Sequence, residues 1–191
     1  MQSLIRLRRF NFNNDKKHLN YFFIAGCFLL PSAPFLSVLI FLYPLIIGLK
    51  ENFRESVKDW RNYLLAIVSF FMVIKSFIAS FLITSEVKGW DPSLNWIGLV
   101  NWIPLFFAYI GFQPYLITKR QRELIGKAFF LGTLPVIISC FTHYYLNFFG
   151  PFKFLNGLII WYQLPLNEIN QPVSGLFNNP NYTGAWLAMI W

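Results

Sequence analysis

Three long apolar runs constrain the fold of this chain more than any other feature of its sequence. They cover residues 63–84, 96–118 and 128–149, and each has 22 or 23 residues with at most one charged side chain. At about 1.5 Å of rise per residue, such a run spans roughly 33 Å as a helix, which matches a hydrocarbon core of about 30 Å. Each run therefore predicts a membrane-spanning helix.

The low content of charged residues supports this interpretation. Charged side chains make up only 13% of the chain, and apolar ones make up 56%, whereas soluble domains carry about 25% charge. A chain with so little charge cannot cover its surface against water, so we expect a lipid bilayer around most of it. The net charge of +8 comes without a basic stripe on a recognition fold, which excludes nucleic acid as a partner. The two cysteines lack metal or disulfide spacing, and neither a metal nor another cofactor is expected.

The uncharged stretch over residues 21–49 is too long for one upright helix and short for two. Pro31 and Pro34 lie near its middle, and proline disfavours helix both at its own position and at the residue before it. We therefore predict two short helices, at residues 20–30 and 35–49, that form a hairpin. A full crossing, a re-entrant hairpin and a single kinked helix all remain open at this stage.

The distribution of lysine and arginine favours the hairpin. Thirteen of the sixteen cations fall in three clusters, before residue 21, between residues 50 and 61, and between residues 119 and 127. Only if the chain doubles back do all three clusters share one side of the membrane, as the positive-inside tendency requires. This predicts a cytoplasmic N-terminus over residues 1–19, an inner loop at 119–127, and outer loops at 85–95 and 150–174.

The last segment has a clear helix start at Asn179, a capping residue, followed by Pro180 in the first helical position. The twelve residues from Pro180 to Trp191 cannot span a bilayer, so we expect the sequence to be the N-terminal part of a longer protein. The predicted fold class is all-α: a polytopic helical membrane protein with about five complete membrane helices plus the start of a sixth. Residues 20–191 are predicted to form its single membrane domain.

Two titratable side chains inside the apolar runs are candidate functional residues. Lys75 is thirteenth in its run, near the membrane midplane, where a charge costs about 2.5–3.5 kcal/mol. It therefore needs either a phosphate or carboxylate ligand, or a structural partner such as backbone carbonyls or another helix. His143, near the outer end of its run, is suited to acid–base chemistry or to a hydrogen bond with a neighbouring helix.

The densest polar cluster is the segment GLFNNPNYTG at residues 175–184, which contains Asn178, Asn179 and Asn181. A helix N-terminus offers unpaired N–H groups and a partial positive charge, so this segment is suited to bind a pyrophosphate or sugar hydroxyls. The alternative is a helix cap and turn without any ligand.

This segment, together with the following Ala185, Trp186 and Leu187, resembles the glycine, Asn-Pro-Asn and apolar-helix signature of the O-antigen ligase and polymerase family, in its cyanobacterial-like form. The blocks at residues 94–104, 113–116 and 157–163 are similar to that branch as well. The resemblance implies a bacterial inner-membrane glycosyltransferase. Such an enzyme moves a glycan from an undecaprenyl pyrophosphate carrier to lipid A-core or another acceptor at the periplasmic face.

Within that resemblance, only Asn179 and Asn181 match positions of the family signature. The arginines and histidine that handle the pyrophosphate are expected in a periplasmic loop beyond Trp191, so the catalytic residues are expected outside this sequence. Two other hypotheses remain open. One is a transporter or permease for a small anion, with Lys75 and the proline-interrupted helices lining its path. The other is a membrane scaffold without a ligand.

Overall fold

The computed structural model describes residues 17–56, 58–81, 93–166 and 172–190. Most of these residues are helical. The elements in chain order are α1 (Lys17–Leu29), α2 (Pro34–Ser56), α3 (Trp60–Phe81), α4 (Ser93–Phe112), a 3-10 turn (Gln113–Leu116), α5 (Lys119–Leu146), β1 (Phe152–Phe154), β2 (Ile159–Trp161) and α6 (Pro180–Ile190). Most of the predicted N-terminal segment and of the predicted loop at 85–95 lies outside the described residues.

Four of the described helices are long and apolar enough to cross a membrane. The spans are Pro34–Arg54, Asn62–Ser80, Trp96–Leu116 and Lys119–Leu146. The prediction of a mostly helical membrane protein is confirmed at this level, and the three long runs each correspond to one of these spans. Helix α1 is apolar but has only 13 residues, and α6 has 11. The sixth helix was predicted to run on through Trp191, a residue that lies outside the described part of the chain.

The chain divides into two units, with the boundaries at Pro44 within α2 and at Pro114 after α4. The first unit contains α1, the start of α2, and everything from Tyr115 onward, and the second contains Leu45–Pro114. In the second unit α3 packs along α4, where the rings of Phe77 and Trp96 meet edge to face at 5.2 Å.

In the first unit the chain breaks between two helices at the prolines. Helix α1 ends at Leu29 and α2 begins at Pro34, since the two prolines leave no uninterrupted helical ladder across the break. The Ser37 hydroxyl donates to the carbonyl of Gly26 at 2.8 Å, and the ring of Phe23 meets that of Phe41 at 5.5 Å. Residues early in α1 thus face residues late in this part of α2, so the two helices run antiparallel.

Helix α5 begins earlier than the apolar run predicted. The Thr118 hydroxyl accepts a hydrogen bond from the backbone N–H of Gln121, and the backbone N–H of Thr118 donates in return to the side-chain oxygen of Gln121, which completes a capping box. The helix therefore starts at Lys119 and includes the basic cluster. Lysine, arginine and glutamate are good helix formers, and a capped start lets them extend a membrane helix beyond the bilayer. The prediction of a loop over residues 119–127 is therefore wrong. Helix α2 likewise extends beyond its predicted end at residue 49 and finishes at Ser56.

This capping box gives a first testable prediction. Thr118→Ala removes the hydroxyl that accepts from Gln121, and we expect the free energy of unfolding to fall by about 1 kcal/mol. Thr118→Ser, which keeps the hydroxyl, serves as the control and should retain most of the stability. Thermal unfolding in detergent measures both variants, and equal stability of Thr118→Ala and the parent chain would contradict this role of the cap.

A small β-hairpin follows α5, in a region that the sequence analysis assigned to an outer loop. Strands β1 and β2 pair antiparallel, with Phe152 opposite Trp161 and Phe154 opposite Ile159. Asn156 and Gly157 in the connection have positive φ angles of 54° and 90°, and this dipeptide is the strongest short-range hairpin signal. With three residues in each strand, this hairpin adds little strand, and the mostly helical structure remains consistent with the predicted all-α class.

Candidate functional site

The candidate site lies in the first unit, where the end of α5 meets the hairpin and the start of α6. Gln163, just after β2, connects these segments. Its side-chain amide donates to the carbonyls of Phe148 at 3.2 Å and Ser139 at 3.5 Å. Its backbone N–H donates to the Gly175 carbonyl at 3.1 Å, and its own carbonyl accepts from Gly150 at 2.9 Å. One buried glutamine therefore satisfies backbone groups from three separate parts of the chain.

Gly175 lets the segment before α6 lie directly against α5. Its φ angle is +53°, and a Cβ atom there would lie 2.7 Å from the sulfur of Cys140 and 3.1 Å from the hydroxyl oxygen of Ser139. Both the positive φ and the close approach require glycine. The next residue, Leu176, accepts a hydrogen bond from the backbone of Tyr162 at 3.1 Å, so this segment runs beside the end of β2.

Helix α6 begins as the sequence predicts. The side-chain oxygen of Asn179 accepts from the backbone N–H of Asn181 at 2.8 Å, and Pro180 occupies the first helical position. One turn later, the hydroxyl of Thr183 donates to the Ser174 carbonyl. Farther along, the indole N–H of Trp186 donates to a threonine hydroxyl of α5 at 2.9 Å. Helix α6 is therefore held both to the preceding segment and to α5.

Five buried polar residues lie where these segments meet, and we call them the polar cluster. Its members are Ser139, His143, Gln163, Ser174 and Thr183. His143 is one turn beyond Ser139 on the buried face of α5, and only 1% of its surface is exposed.

Two members of the polar cluster have unsatisfied polar atoms. Within the described residues, neither ring nitrogen of His143 nor the hydroxyl of Ser174 has a hydrogen-bond partner. The expected hydrogen bond from His143 to a neighbouring helix is therefore not found there. Leaving a buried polar group unpaired costs about 1–3 kcal/mol, and such groups are unusual unless they serve a function or bind a ligand.

The predicted site residues divide between the two units. Asn178 and Asn181 are exposed at the start of α6, and Asn179 is half-buried there as the helix cap. Lys75 belongs to the second unit, where its side chain is exposed on α3. The structure therefore brings the three asparagines together beside the polar cluster, whereas Lys75 belongs to the other unit. The catalytic residues were expected beyond Trp191, so that prediction falls outside the described residues.

Sequence reasoning missed most of the polar cluster. Gln163 and Ser174 lie in the predicted outer loop at residues 150–174. Gln163 is the last residue of the block at 157–163, but nothing in the sequence marks either side chain as buried. A usable signal lies in α5, where Ser139 and His143 are polar residues four positions apart in a largely apolar run and thus share one helix face.

Comparison of this chain with protein-family models, with curated proteins and with solved structures gave no match. Among the described residues, no group of histidine, cysteine, aspartate or glutamate side chains is arranged to hold a metal ion. The fold and the site thus define a helical membrane protein with a buried polar cluster beneath an asparagine-rich helix start.

Proposed function

We propose that this chain is the N-terminal part of an O-antigen ligase-like glycosyltransferase of the bacterial inner membrane. It would cross the membrane about five times, with a sixth crossing starting at α6. The enzyme would move a glycan from undecaprenyl pyrophosphate to lipid A-core or another acceptor at the periplasmic face, with lipids as its surroundings and the lipid-linked glycan as its substrate.

The observation that carries this proposal is the contact between two of the sequence blocks that resemble the family. The block at residues 157–163 and the segment at 175–184 are joined by backbone hydrogen bonds from Tyr162 to Leu176 and from Gln163 to Gly175. The resemblance rests on the sequence of these blocks alone, and their direct contact is what residues of one shared site require. The exposed amides of Asn178 and Asn181 lie at the same place.

The chemistry of the site supports a pyrophosphate-linked glycan as its ligand. In the proposed reaction, an acceptor hydroxyl attacks the anomeric carbon, the bond from that carbon to the pyrophosphate oxygen breaks, and the hydroxyl proton passes to a base. The leaving pyrophosphate gains negative charge, which N–H groups at a helix start and asparagine amides can stabilise. Sugar hydroxyls suit the amides of Asn178 and Asn181.

Charge supports the proposed orientation. The start of α5 carries Lys119, Arg120, Arg122 and Lys127, whereas the candidate site lies at the opposite end of the same helix. If the basic end is cytoplasmic, as the positive-inside tendency requires, the asparagines face the periplasm. A lipid-linked glycan presented at that face would therefore reach them.

Substitution of the asparagines in the full-length protein tests this proposal. We expect Asn179→Ala and Asn181→Ala each to reduce glycan transfer roughly tenfold or more, because each removes a group that binds the charged ligand. Asn179→Asp is the sharper variant, since aspartate also caps helices but repels a pyrophosphate. Transfer is measured as glycan attached to the acceptor in cells that supply the carrier-linked glycan.

Asn156→Gly in the β-hairpin is the matched control, because it removes an exposed asparagine and suits the positive φ at that position. It should leave transfer unchanged, and all variants should insert into the membrane normally. If Asn179→Asp transfers glycan at the parental rate, the asparagines act only as a helix cap and the proposal fails.

A further inference from the structure

Helix α5 has an exposed apolar face. Exposed apolar side chains recur along it at intervals of three and four residues, which places them on one helix face. They are Leu131, Leu134, Ile138, Phe141 and Tyr145. Because α5 contains one of the candidate membrane spans, this exposed apolar face is suited to contact lipid chains. It reaches the end of the helix without a break.

The β-hairpin follows the end of α5, and one face of the β-hairpin is held against neighbouring segments. The ring of Phe148, after α5, stacks on Phe152 of β1 at 4.7 Å. Across the sheet, the indole N–H of Trp161 donates to the carbonyl of Ser32 at 2.8 Å, in the turn between α1 and α2. Two independent contacts therefore hold the hairpin at the level where membrane helices begin and end.

The far end of the β-hairpin is apolar and largely exposed, although the ring of Phe154 meets that of Trp161 edge to face at 5.0 Å. Phe154, Leu155 and Leu158 are exposed by 44%, 62% and 42%, and we call these three residues the hairpin tip. Leu155 has a φ angle of 49°, an unfavourable conformation for a bulky side chain. A polar residue or glycine would suit an aqueous turn better at this position. Lys153, beside the tip, is exposed as well.

We propose that the hairpin tip inserts into the headgroup boundary of the lipid bilayer at the face where α5 ends. Continuity with the exposed apolar face of α5 places the tip at that depth, and apolar and aromatic side chains favour this boundary. Lys153 is then positioned to pair with lipid phosphates. The hairpin thereby fixes the height of the adjacent polar cluster relative to the membrane surface. This proposal stands without the proposed glycan transfer.

Depth-dependent fluorescence quenching tests the insertion. The full chain, with its free cysteines Cys27 and Cys140 replaced by alanine, carries Leu155→Cys labelled with a small fluorophore. It is reconstituted into vesicles with a nitroxide either at the headgroup or along the acyl chain. Glu123→Cys at the basic end of α5 is the aqueous control, since Glu123 is 56% exposed. We expect shallow nitroxides to quench position 155 at least about threefold more than position 123, and aqueous iodide to show the reverse order.

A second variant separates insertion from mere proximity. With the fluorophore at Phe154→Cys, the double substitution Leu155→Gly and Leu158→Ser removes the other apolar side chains of the tip, and glycine suits the positive φ, so the hairpin should still form. Lipid quenching at position 154 is expected to fall at least about threefold. Iodide quenching of position 155 equal to that of position 123 would overturn the proposal. In that case the hairpin tip would be exposed to water in pure lipid vesicles, and a protein partner would be the remaining candidate to cover it.

Discussion

Replacing Gln163 with glutamate is expected to lower the free energy of unfolding by about 3 kcal/mol or more. The substitution keeps the size and shape of the side chain but removes the N–H groups that donate to the carbonyls of Ser139 and Phe148. A carboxylate at this position, of which only 2% is exposed, would face carbonyl oxygens that repel it. The variant therefore loses two hydrogen bonds and buries an unpaired charge.

Gln121→Glu is the matched control, because it is the same chemical change in a different environment. Gln121 is the third residue of the capping box that starts α5, where glutamate serves as well as glutamine and a negative charge favours the helix start. The amide of Gln121 also donates to the side-chain oxygen of Asn20 at 3.3 Å, but the Asn20 amide can turn and donate to a glutamate there instead. We therefore expect the effect to stay within about 0.5 kcal/mol. Thermal unfolding in detergent compares the two variants. Equal effects would mean that the hydrogen bonds of Gln163 contribute little to holding the site together.

Substitution of Gln163 also bears on the proposed function. Loss of its bonds frees the segment around Gly175 from the end of β2, since the backbone bond between the two residues depends on the position of Gln163. We therefore expect Gln163→Glu to reduce glycan transfer together with stability, whereas Asn179→Asp should reduce transfer alone. The two variants distinguish a residue that holds the site from one that binds the ligand.

Elements that depend on local chemistry could be predicted from the sequence. Pro31 and Pro34 both disfavour helix at their own positions and at the residues before them. Two prolines this close together favoured a break between α1 and α2, whereas the single prolines inside α2, α4 and α5 leave those helices continuous. The start of α6 followed in the same way from Asn179 and Pro180. The long apolar runs marked the membrane helices because a bilayer demands a fixed length of apolar chain.

The remaining features depend on packing between distant segments, which no local pattern reveals. The side-chain hydrogen bonds of Gln163 reach Phe148, 15 positions away, and Ser139 of α5, 24 positions away. The burial of Gln163 could not be deduced from its neighbours in the sequence. Helix α5 began before its apolar run because capping chemistry, not hydropathy, sets where a helix starts. The β-hairpin was indicated locally by the Asn156-Gly157 dipeptide, but hydropathy alone does not detect a turn of this kind.

Gly132 gives the second large prediction, because it lies where α1 and α5 approach most closely. A Cβ atom at this position would lie 2.1 Å from the carbonyl oxygen of Phe28 and 2.9 Å from its carbonyl carbon. Both atoms belong to the backbone of α1, so no side-chain rotation can relieve the clash. Small residues at such crossings let membrane helices approach until backbone atoms touch, and packing of this kind is a main source of helix association in lipid.

We expect Gly132→Ala to lower the free energy of unfolding by about 2 kcal/mol or more, because the two helices must separate to admit one methyl group. Gly126→Ala is the matched control on the same helix, since a Cβ atom there meets nothing within 4 Å. Alanine is the better helix former by about 1 kcal/mol, so the control should be neutral or slightly stabilising. Thermal unfolding in detergent should therefore show changes of opposite sign. If Gly132→Ala is as stable as Gly126→Ala, then α1 and α5 are not packed this closely. The position of the turn between α1 and α2 beside the site would then need another explanation.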